Sequence, residues 1–218
     1  MSSPDQSDAI VIGSGPNGLV AATLLARAGW SVTVLERNAV AGGAIASEAL
    51  TVPGYIHDPF SAFYGLLHAS PVFAELDLAR RVTWATFDVP VAAALSPGRS
   101  ALLYADTEHT ERHLGEIAAA DGDAWRELVQ WWHKIGQHFF SMMLAPLGAV
   151  KPALRVGRAA KVKGGLELAQ IMLASIEAVA ANRFVSTEAQ ALLCSGASHA
   201  DVSVISPGST PGAMILAL

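Results

Sequence analysis

Three glycines near the N-terminus have the spacing of a loop that holds a phosphate group. Gly13, Gly15 and Gly18 form a complete G-x-G-x-x-G directly after the short apolar run 9–12. In such a loop the first glycine allows a tight turn, the second lets the backbone approach a pyrophosphate, and the third lets a helix pack closely on the preceding strand. We therefore expect a dinucleotide-binding loop that opens a helix, with the helix N-terminal amides facing the phosphates.

The elements that must position this loop follow in the expected order. Residues 9–12 predict a buried parallel strand, residues 17–28 an apolar helix covered on most sides, and residues 31–35 a second, β-branched strand. The second strand ends in Glu36, eighteen residues beyond Gly18, where a carboxylate can accept both ribose hydroxyls of an adenosine. The same negative charge argues against a 2′-phosphate. The alternative for Glu36 is a solvated strand end.

A second glycine pair follows at Gly42-Gly43. Together with residues 53–63 (PGYIHDPFSAF), the stretch from Asp8 to Ala44 resembles the FAD-dependent amine oxidase and phytoene desaturase superfamily, and more closely its phytoene-dehydrogenase-related oxidoreductases. The resemblance is specific over residues 8–64 and diffuse over 80–218. It implies a Rossmann-like FAD/NAD(P)-binding domain with FAD lying across the glycine loop and the second glycine pair close to the cofactor. The candidate cofactor-binding residues are Gly13, Ser14, Gly15, Pro16, Asn17, Gly18, Glu36, Arg37, Gly42, Gly43 and Ala44.

Each of these assignments has a plainer alternative. Arg37 is equally well explained as a surface charge, and an Ala-Gly-Gly sequence also occurs in ordinary loops. His57 and Asp58 have the chemistry to tune a flavin or handle a proton. A structural role, with Asp58 capping a turn before Pro59, is the interpretation we favour. No residue is therefore predicted to be catalytic.

The resemblance implies an FAD-dependent oxidoreductase that transfers a hydride from a small-molecule substrate to the flavin. An NAD-dependent dehydrogenase and a non-catalytic nucleotide-binding or partner-docking protein are the alternatives. The identity of the cofactor separates the first two, and bound flavin that no donor reduces would indicate the third.

The composition excludes several other classes of protein. The chain has 218 residues, a net charge of −5 and one cysteine, Cys194. The acidic balance and the absence of a basic-aromatic module disfavour nucleic acid. A single cysteine forms no disulfide within the chain, and we expect it to be a small buried residue. No His/Cys/Asp/Glu cluster predicts a metal site, and the polar N-terminus predicts no signal peptide, so we expect a cytoplasmic location.

The second part of the chain predicts a different architecture. We divide the sequence into the start of the cofactor domain, 1–80, and a mostly helical portion of a substrate domain, 81–218. The latter begins with a β-hairpin, 82–95 and 100–104, followed by a helix capped by Asp106 or Thr107. We expect Asp121-Gly122-Asp123 to end this helix, and the next helix to cover residues 124–143.

That helix carries an apolar stripe at spacings of three and four residues, Trp125, Leu128, Trp132, Ile135 and Phe139. Such a stripe is more often core than binding surface. Its place in the substrate domain keeps a lipophilic substrate as an alternative.

Residues 141–163 combine an apolar run with five cations, Lys151, Arg155, Arg158, Lys161 and Lys163. These leave −10 on the rest of a chain whose total is −5. We predict peripheral contact with an anionic membrane, and a solvated basic face is the alternative. Gly164-Gly165 is expected to end this segment, and Ser186 or Thr187 to cap the helix carrying Cys194.

The final apolar run, 213–218, follows a Pro/Gly-rich turn and carries no capping signal. Only two adjacent strands of a dinucleotide fold are found before Gly43. We therefore expect the sequence to be the N-terminal portion of a longer protein, with the remainder beyond Leu218 as its partner.

Overall fold

The computed structural model of the chain describes residues 6–145 and 150–217. The chain divides into two compact units, of which the first ends at Val82 and the second begins at Thr83. The helices are α1 Pro16–Arg27, α2 Gly65–Ala69, α3 Pro71–Glu75, α4 Leu78–Arg81, α5 Thr107–Ile117, α6 Ala119–Met143, α7 Val150–Leu173, α8 Ile176–Arg183, α9 Thr187–His199 and α10 Thr210–Ala217. The strands are β1 Ala9–Ile12, β2 Val32–Leu35, β3 Val91–Ala94 and β4 Ser100–Leu103.

The first unit is built on a β-α-β element. Strands β1 and β2 pair in parallel, with Ala9 opposite Val32 and Ile12 opposite Leu35. Helix α1 contacts both strands, and a Cβ on Gly18 would lie 3.5 Å from the half-buried side chain of Val11 in β1. This is the strand, helix and strand that the sequence predicts, and it confirms an α/β, Rossmann-like start of the chain.

The β-α-β element is less buried than we expected. Ala22 is the one buried residue among those described in α1. On the opposite face of the sheet Ile10 is 63% exposed and Ile12 is 87% exposed. The prediction of a helix covered on most sides is therefore wrong for the described residues. The reason is that α1 packs on the sheet with one face, and no described element of this unit covers its others.

The second unit opens with the predicted hairpin, although its strands are shorter than expected. Strands β3 and β4 pair antiparallel, and Gly98 turns between them with φ of 80°. Arg99 in this turn makes a two-pronged ion pair with Glu188 of α9, with Nε to Oε1 at 2.7 Å and Nη2 to Oε2 at 2.9 Å. This pair ties the hairpin to the helical core, and the Glu188 pKa is lowered because Arg99 donates to its carboxylate.

The helical core is centred on α6. The predicted stripe of α6 is buried, with Trp125 at 1% and Leu128 at 0% exposed, and it packs among residues of α7, α8, α9 and α10. The stripe is therefore core and not a binding surface. Asp106 caps α5 by accepting from the Glu108 amide at 2.9 Å, and Ser186 caps α9 by accepting from Ala189, as expected.

Two predicted helix boundaries are wrong. The Asp121-Gly122-Asp123 segment lies inside α6, because Gly122 allows α5 to approach closely: a Cβ there would lie 2.9 Å from the Glu111 carbonyl oxygen. Helix α7 continues through Gly164-Gly165 and ends at Leu173, where Ser175 caps α8. Interior glycines weaken a helix but do not end it when tertiary packing holds the flanking turns.

The last apolar run also packs in the second unit. Helix α10 lies on α9, with Ala213 and Met214 completely buried. A Cβ on Gly196 would lie 2.4 Å from the Ala213 carbonyl oxygen, so this contact is closer than a side chain would allow. Part of the run predicted to be an uncapped stub is thus core. Leu218 lies outside the described residues.

Candidate dinucleotide site

The glycine loop begins where β1 ends. Gly13 has φ of 95°, a conformation that glycine adopts without strain, and its amide donates to Leu35 of β2 at 2.7 Å. The chain then reverses into α1, with Gly15 as the residue that precedes the helix and Pro16 in its first turn. The loop therefore lies at the carboxyl ends of two parallel strands, the edge at which open α/β sheets bind ligands.

Gly18 is required by the fold itself. A Cβ at this position would lie 2.2 Å from the Gly13 carbonyl oxygen and 3.2 Å from its carbon. Such an approach is impossible without moving the backbone of the loop. Glycine here lets α1 pack on the turn that follows β1, as the sequence pattern predicts.

Gly15 is different, because the described protein does not require a glycine there. Its φ of −69° is open to any residue. A Cβ would meet only the Cα of Gly43, at 3.9 Å, which is ordinary van der Waals contact. Apart from this contact, no described atom lies within 4 Å of the position that a Cβ on Gly15 would occupy.

The second glycine pair is in direct contact with the first loop. The Gly42 amide donates to the Ser14 carbonyl at 3.0 Å, and a Cβ on Gly43 would lie 2.9 Å from the Cα of Gly15. Gly42 and Gly43 have φ of 129° and 60°, so both occupy conformations that favour glycine. Two segments separated by a helix and a strand are thus brought together, and the exposed Ala44 follows them.

Glu36 faces the same loop. Its Oε2 accepts from the Ser14 amide at 2.8 Å and from the Ser14 hydroxyl at 2.6 Å, while Oε1 accepts from the Asn38 amide at 2.8 Å. The hydroxyl of Ser14 is the largest cause that lowers the pKa of Glu36 from 4.5 to about 2, followed by the Asn38 and Ser14 amides. The carboxylate therefore stays ionised at every physiological pH. Oε2 already accepts from two donors, whereas Oε1 accepts from the Asn38 amide, so Oε1 is the oxygen at which a further hydroxyl can be accepted.

The loop also offers unpaired amides. Among the described residues, the N–H groups of Gly15, Asn17 and Gly18 have no acceptor, while Leu19 already donates to the Gly15 carbonyl at 2.9 Å. Pro16 has no N–H to offer. These donors lie at the positive end of a 12-residue helix, where an anion is stabilised.

Other predicted residues are not brought into this arrangement by any described contact. Arg37 is exposed, and its side chain has no hydrogen-bond partner in the part of the chain that the structure describes. His57 Nε2 lies 2.7 Å from the Thr51 hydroxyl, and Asp58 accepts from the Ser47 hydroxyl. Asp58 thus holds a loop through Ser47, whereas we expected it to cap the turn before Pro59. The parts that Arg37 and Ala44 play stay predictions.

Sequence reasoning identified Ser14 as a candidate but missed its contact with Glu36. A serine between two glycines gives no local sign of a partner 22 residues away. The same reasoning expected Cys194 to be buried. It is half-buried against the core, and this burial raises the pKa of its thiol. No group of His, Cys, Asp and Glu among the described residues is arranged to hold a metal ion.

Comparison with known proteins places this site in a familiar context. Residues 11–76 match the family model of the NAD(P)-binding Rossmann-like domain. The chain is 31% identical over 140 residues to a limonene dehydrogenase subunit of Castellaniella defragrans, covering 64% of this chain and 25% of that protein. It is 28% identical over 234 residues to the mouse pyridine nucleotide-disulfide oxidoreductase domain-containing protein 2, covering 94% of this chain and 39% of that protein.

A shorter match reaches a third kind of relative. Over 41 residues the chain is 56% identical to all-trans-retinol 13,14-reductase of Macaca fascicularis, covering 19% of this chain and 7% of that protein. The chain thus spans between a quarter and two fifths of the length of the first two relatives. The chain therefore begins with an NAD(P)-binding Rossmann-like domain, and it is similar over part of their length to oxidoreductases that include this limonene dehydrogenase subunit and pyridine nucleotide-disulfide oxidoreductase domain-containing protein 2.

Proposed function

We propose that the chain binds FAD and forms part of an FAD-dependent, phytoene-dehydrogenase-like oxidoreductase. The observation that carries this proposal is the meeting of the two glycine segments beside the carboxylate of Glu36. Ser14 contacts both sides of this arrangement, since it donates to Glu36 and accepts from Gly42. A phosphate loop alone fits any dinucleotide, whereas the second glycine pair is the element that links the sequence to flavin enzymes.

The residues fit the two polar parts of FAD. Because Gly15 carries no side chain, a pyrophosphate can approach the backbone there, and the unpaired amides of Asn17 and Gly18 supply donors to it. The open acceptor position on Glu36 suits a ribose hydroxyl of the adenosine. Gly42 and Gly43 keep the neighbouring backbone free of side chains, so that a cofactor can lie against it.

When bound, the flavin supplies the acceptor for a hydride from the substrate. The contribution of the described residues is to bind and orient: the loop fixes the diphosphate, and the ionised Glu36 fixes the adenosine end. We assign no described side chain as a catalytic acid or base. The described residues then contribute to catalysis by positioning the cofactor and by their electrostatic effect on it.

A lipophilic substrate is the substrate class we propose. Limonene and retinol, which appear in the names of two relatives, are apolar molecules. The aromatic stripe of α6 does not supply their binding surface, because it is buried in the core. The binding surface therefore has to be formed by other residues.

An NAD-dependent dehydrogenase is the second candidate, favoured by the NAD(P)-binding description of the matching family model. A non-catalytic nucleotide-binding or partner-docking protein is a third. Both share the loop and Glu36 with the flavin proposal, so the identity of the bound dinucleotide and its reduction decide among them.

Replacement of Glu36 by glutamine tests the proposal at the adenosine end. We expect FAD to bind the wild-type protein more tightly than NAD⁺ and much more tightly than NADP⁺, whose 2′-phosphate is repelled by the carboxylate. Glu36→Gln should weaken FAD by about 1–3 kcal/mol, because a charge-assisted acceptor becomes a neutral one. It should weaken NADP⁺ less or not at all. Titration calorimetry with the three dinucleotides measures both effects.

Replacement of the neighbouring Arg37 by glutamine is the control. It alters the charge beside the site and leaves every described contact of Glu36 in place. Tighter binding of NAD⁺ than of FAD by the wild-type protein would replace the flavin proposal with the dehydrogenase. Unchanged FAD affinity in Glu36→Gln would limit Glu36 to the structural role of holding Ser14 and Asn38.

A further inference from the structure

The end of α6 and the beginning of α7 present apolar and basic side chains together. Four apolar side chains in these two segments are exposed, at 41% for Met143, 43% for Leu144, 66% for Val150 and 54% for Leu154. The cations beside them, Lys151, Arg155 and Arg158, are exposed as well. We name these seven residues the hairpin tip. Helices α6 and α7 pack against each other, so the tip is the end of a helical hairpin.

The order of these side chains along α7 produces an amphipathic edge. Val150 and Leu154 are one turn apart and form an apolar row. Lys151 and Arg155 are also one turn apart and form a basic row beside it, and Arg158 continues the tip one turn after Leu154. Long cationic side chains next to an apolar row can reach outward while the row inserts into a less polar medium.

The sequence around the hairpin tip carries only positive charge. Residues 128–166 contain no aspartate or glutamate and six lysines and arginines, Lys134, Lys151, Arg155, Arg158, Lys161 and Lys163. Because the chain totals −5, these six leave −11 on the rest of the molecule. An anionic surface therefore attracts the cations of the hairpin tip, while the net charge of the remaining sequence is negative.

We propose that the hairpin tip rests on an anionic lipid bilayer, with the apolar row among the lipid headgroups and acyl chains and the cations on the phosphates. This combination of exposed apolar and basic side chains is what an interfacial membrane segment requires. An acidic protein surface would pair with the cations but would offer no apolar contact to the apolar row. No helix in the described parts of the chain is long and apolar enough to cross a membrane.

Sedimentation with lipid vesicles tests this proposal on the purified protein. We expect the protein to pellet with vesicles of phosphatidylcholine mixed with phosphatidylserine and to remain in solution with phosphatidylcholine alone. Raising the salt concentration to about 1 M, where the Debye length is about 3 Å, should release it. Arg155→Glu/Arg158→Glu should lower the partition coefficient at least about tenfold, since each cation near the surface contributes about 1 kcal/mol.

The matched control is Arg80→Glu/Arg112→Glu, which makes the same change in net charge at two exposed arginines outside the tip. It should bind as the wild type does. Leu154→Ser should also weaken binding severalfold, and this separates insertion of the apolar row from purely electrostatic adsorption to the vesicle surface. Unchanged melting curves would show that each variant is folded.

Equal recovery in solution with both kinds of vesicle would overturn the proposal. So would an equal loss of binding in the control pair, which would assign the attraction to net charge alone. Full binding by Leu154→Ser would show that the cations act without the apolar row, and it would overturn the insertion of that row among the lipids.

Discussion

Alanine at Gly15 is expected to leave the first unit folded and to weaken its dinucleotide binding at least about tenfold, or about 1.4 kcal/mol. The new Cβ would make one ordinary contact in the protein, at 3.9 Å from the Cα of Gly43. It would, however, occupy the space through which we propose that the pyrophosphate approaches the backbone. Valine, with two more methyl groups, should abolish binding. FAD titration and thermal melting of the same samples measure the two effects separately.

The matched control is Gly115→Ala, whose Cβ would lie 3.8 Å from the Cα of Gly122 in the helical unit. This substitution adds the same methyl group at nearly the same distance from a neighbouring glycine Cα. It should not alter FAD affinity. Gly18→Ala provides the opposite comparison, because its Cβ would lie 2.2 Å from the Gly13 carbonyl oxygen. That variant should lose the loop structure and the affinity together. Wild-type affinity in Gly15→Ala would contradict the placement of the pyrophosphate.

Asp121→Ala is expected to lower the free energy of unfolding by about 2–5 kcal/mol, since two amides each lose a charged acceptor. The Asp121 carboxylate is completely buried and accepts from the amides of Val185 and Ser186, at 2.7 Å and 3.0 Å. It thereby joins the N-terminal turn of α6 to the junction of α8 and α9. A loss of this size is a large part of the stability of a typical domain. Urea denaturation followed by circular dichroism measures it.

Asp123→Ala is the control for this loss. Asp123 lies half a turn away in the same helix, but its side chain is 66% exposed and pairs with Arg126 at the surface. A surface ion pair of this kind contributes about 0–1 kcal/mol. If Asp121→Ala unfolded at the same urea concentration as Asp123→Ala, the buried carboxylate would not be the link between α6 and the junction of α8 and α9.

Asp121 also shows where sequence reasoning stops. Two aspartates around a glycine have the local chemistry of a break between helices, and we predicted one. The structure keeps the helix because Asp121 binds amides more than sixty residues later and Gly122 admits the close approach of α5. Neither partner is visible in the local pattern. Tertiary contacts of this kind override intrinsic propensity.

The glycine loop could be predicted because each of its constraints is local. The strand length, the glycine spacing and the acidic end of β2 all follow from neighbouring residues, and the structure places β1 at the predicted residues. The resemblance placed Gly42-Gly43 close to the cofactor, but the contact between Gly43 and Gly15 was not predicted, since no spacing rule gives it. The attachment of Glu36 to Ser14 was missed because it depends on the register between β1 and β2.

The central claim is that this chain holds a flavin, and an absorbance spectrum of the purified protein tests it most directly. The account predicts the two flavin bands in the near ultraviolet and the blue. They should bleach on anaerobic reduction, and FAD should be released on denaturation. They should be absent from the Gly15→Val variant purified alongside. A wild-type protein that is folded, binds NAD⁺ and shows no flavin bands even after incubation with excess FAD would contradict the claim.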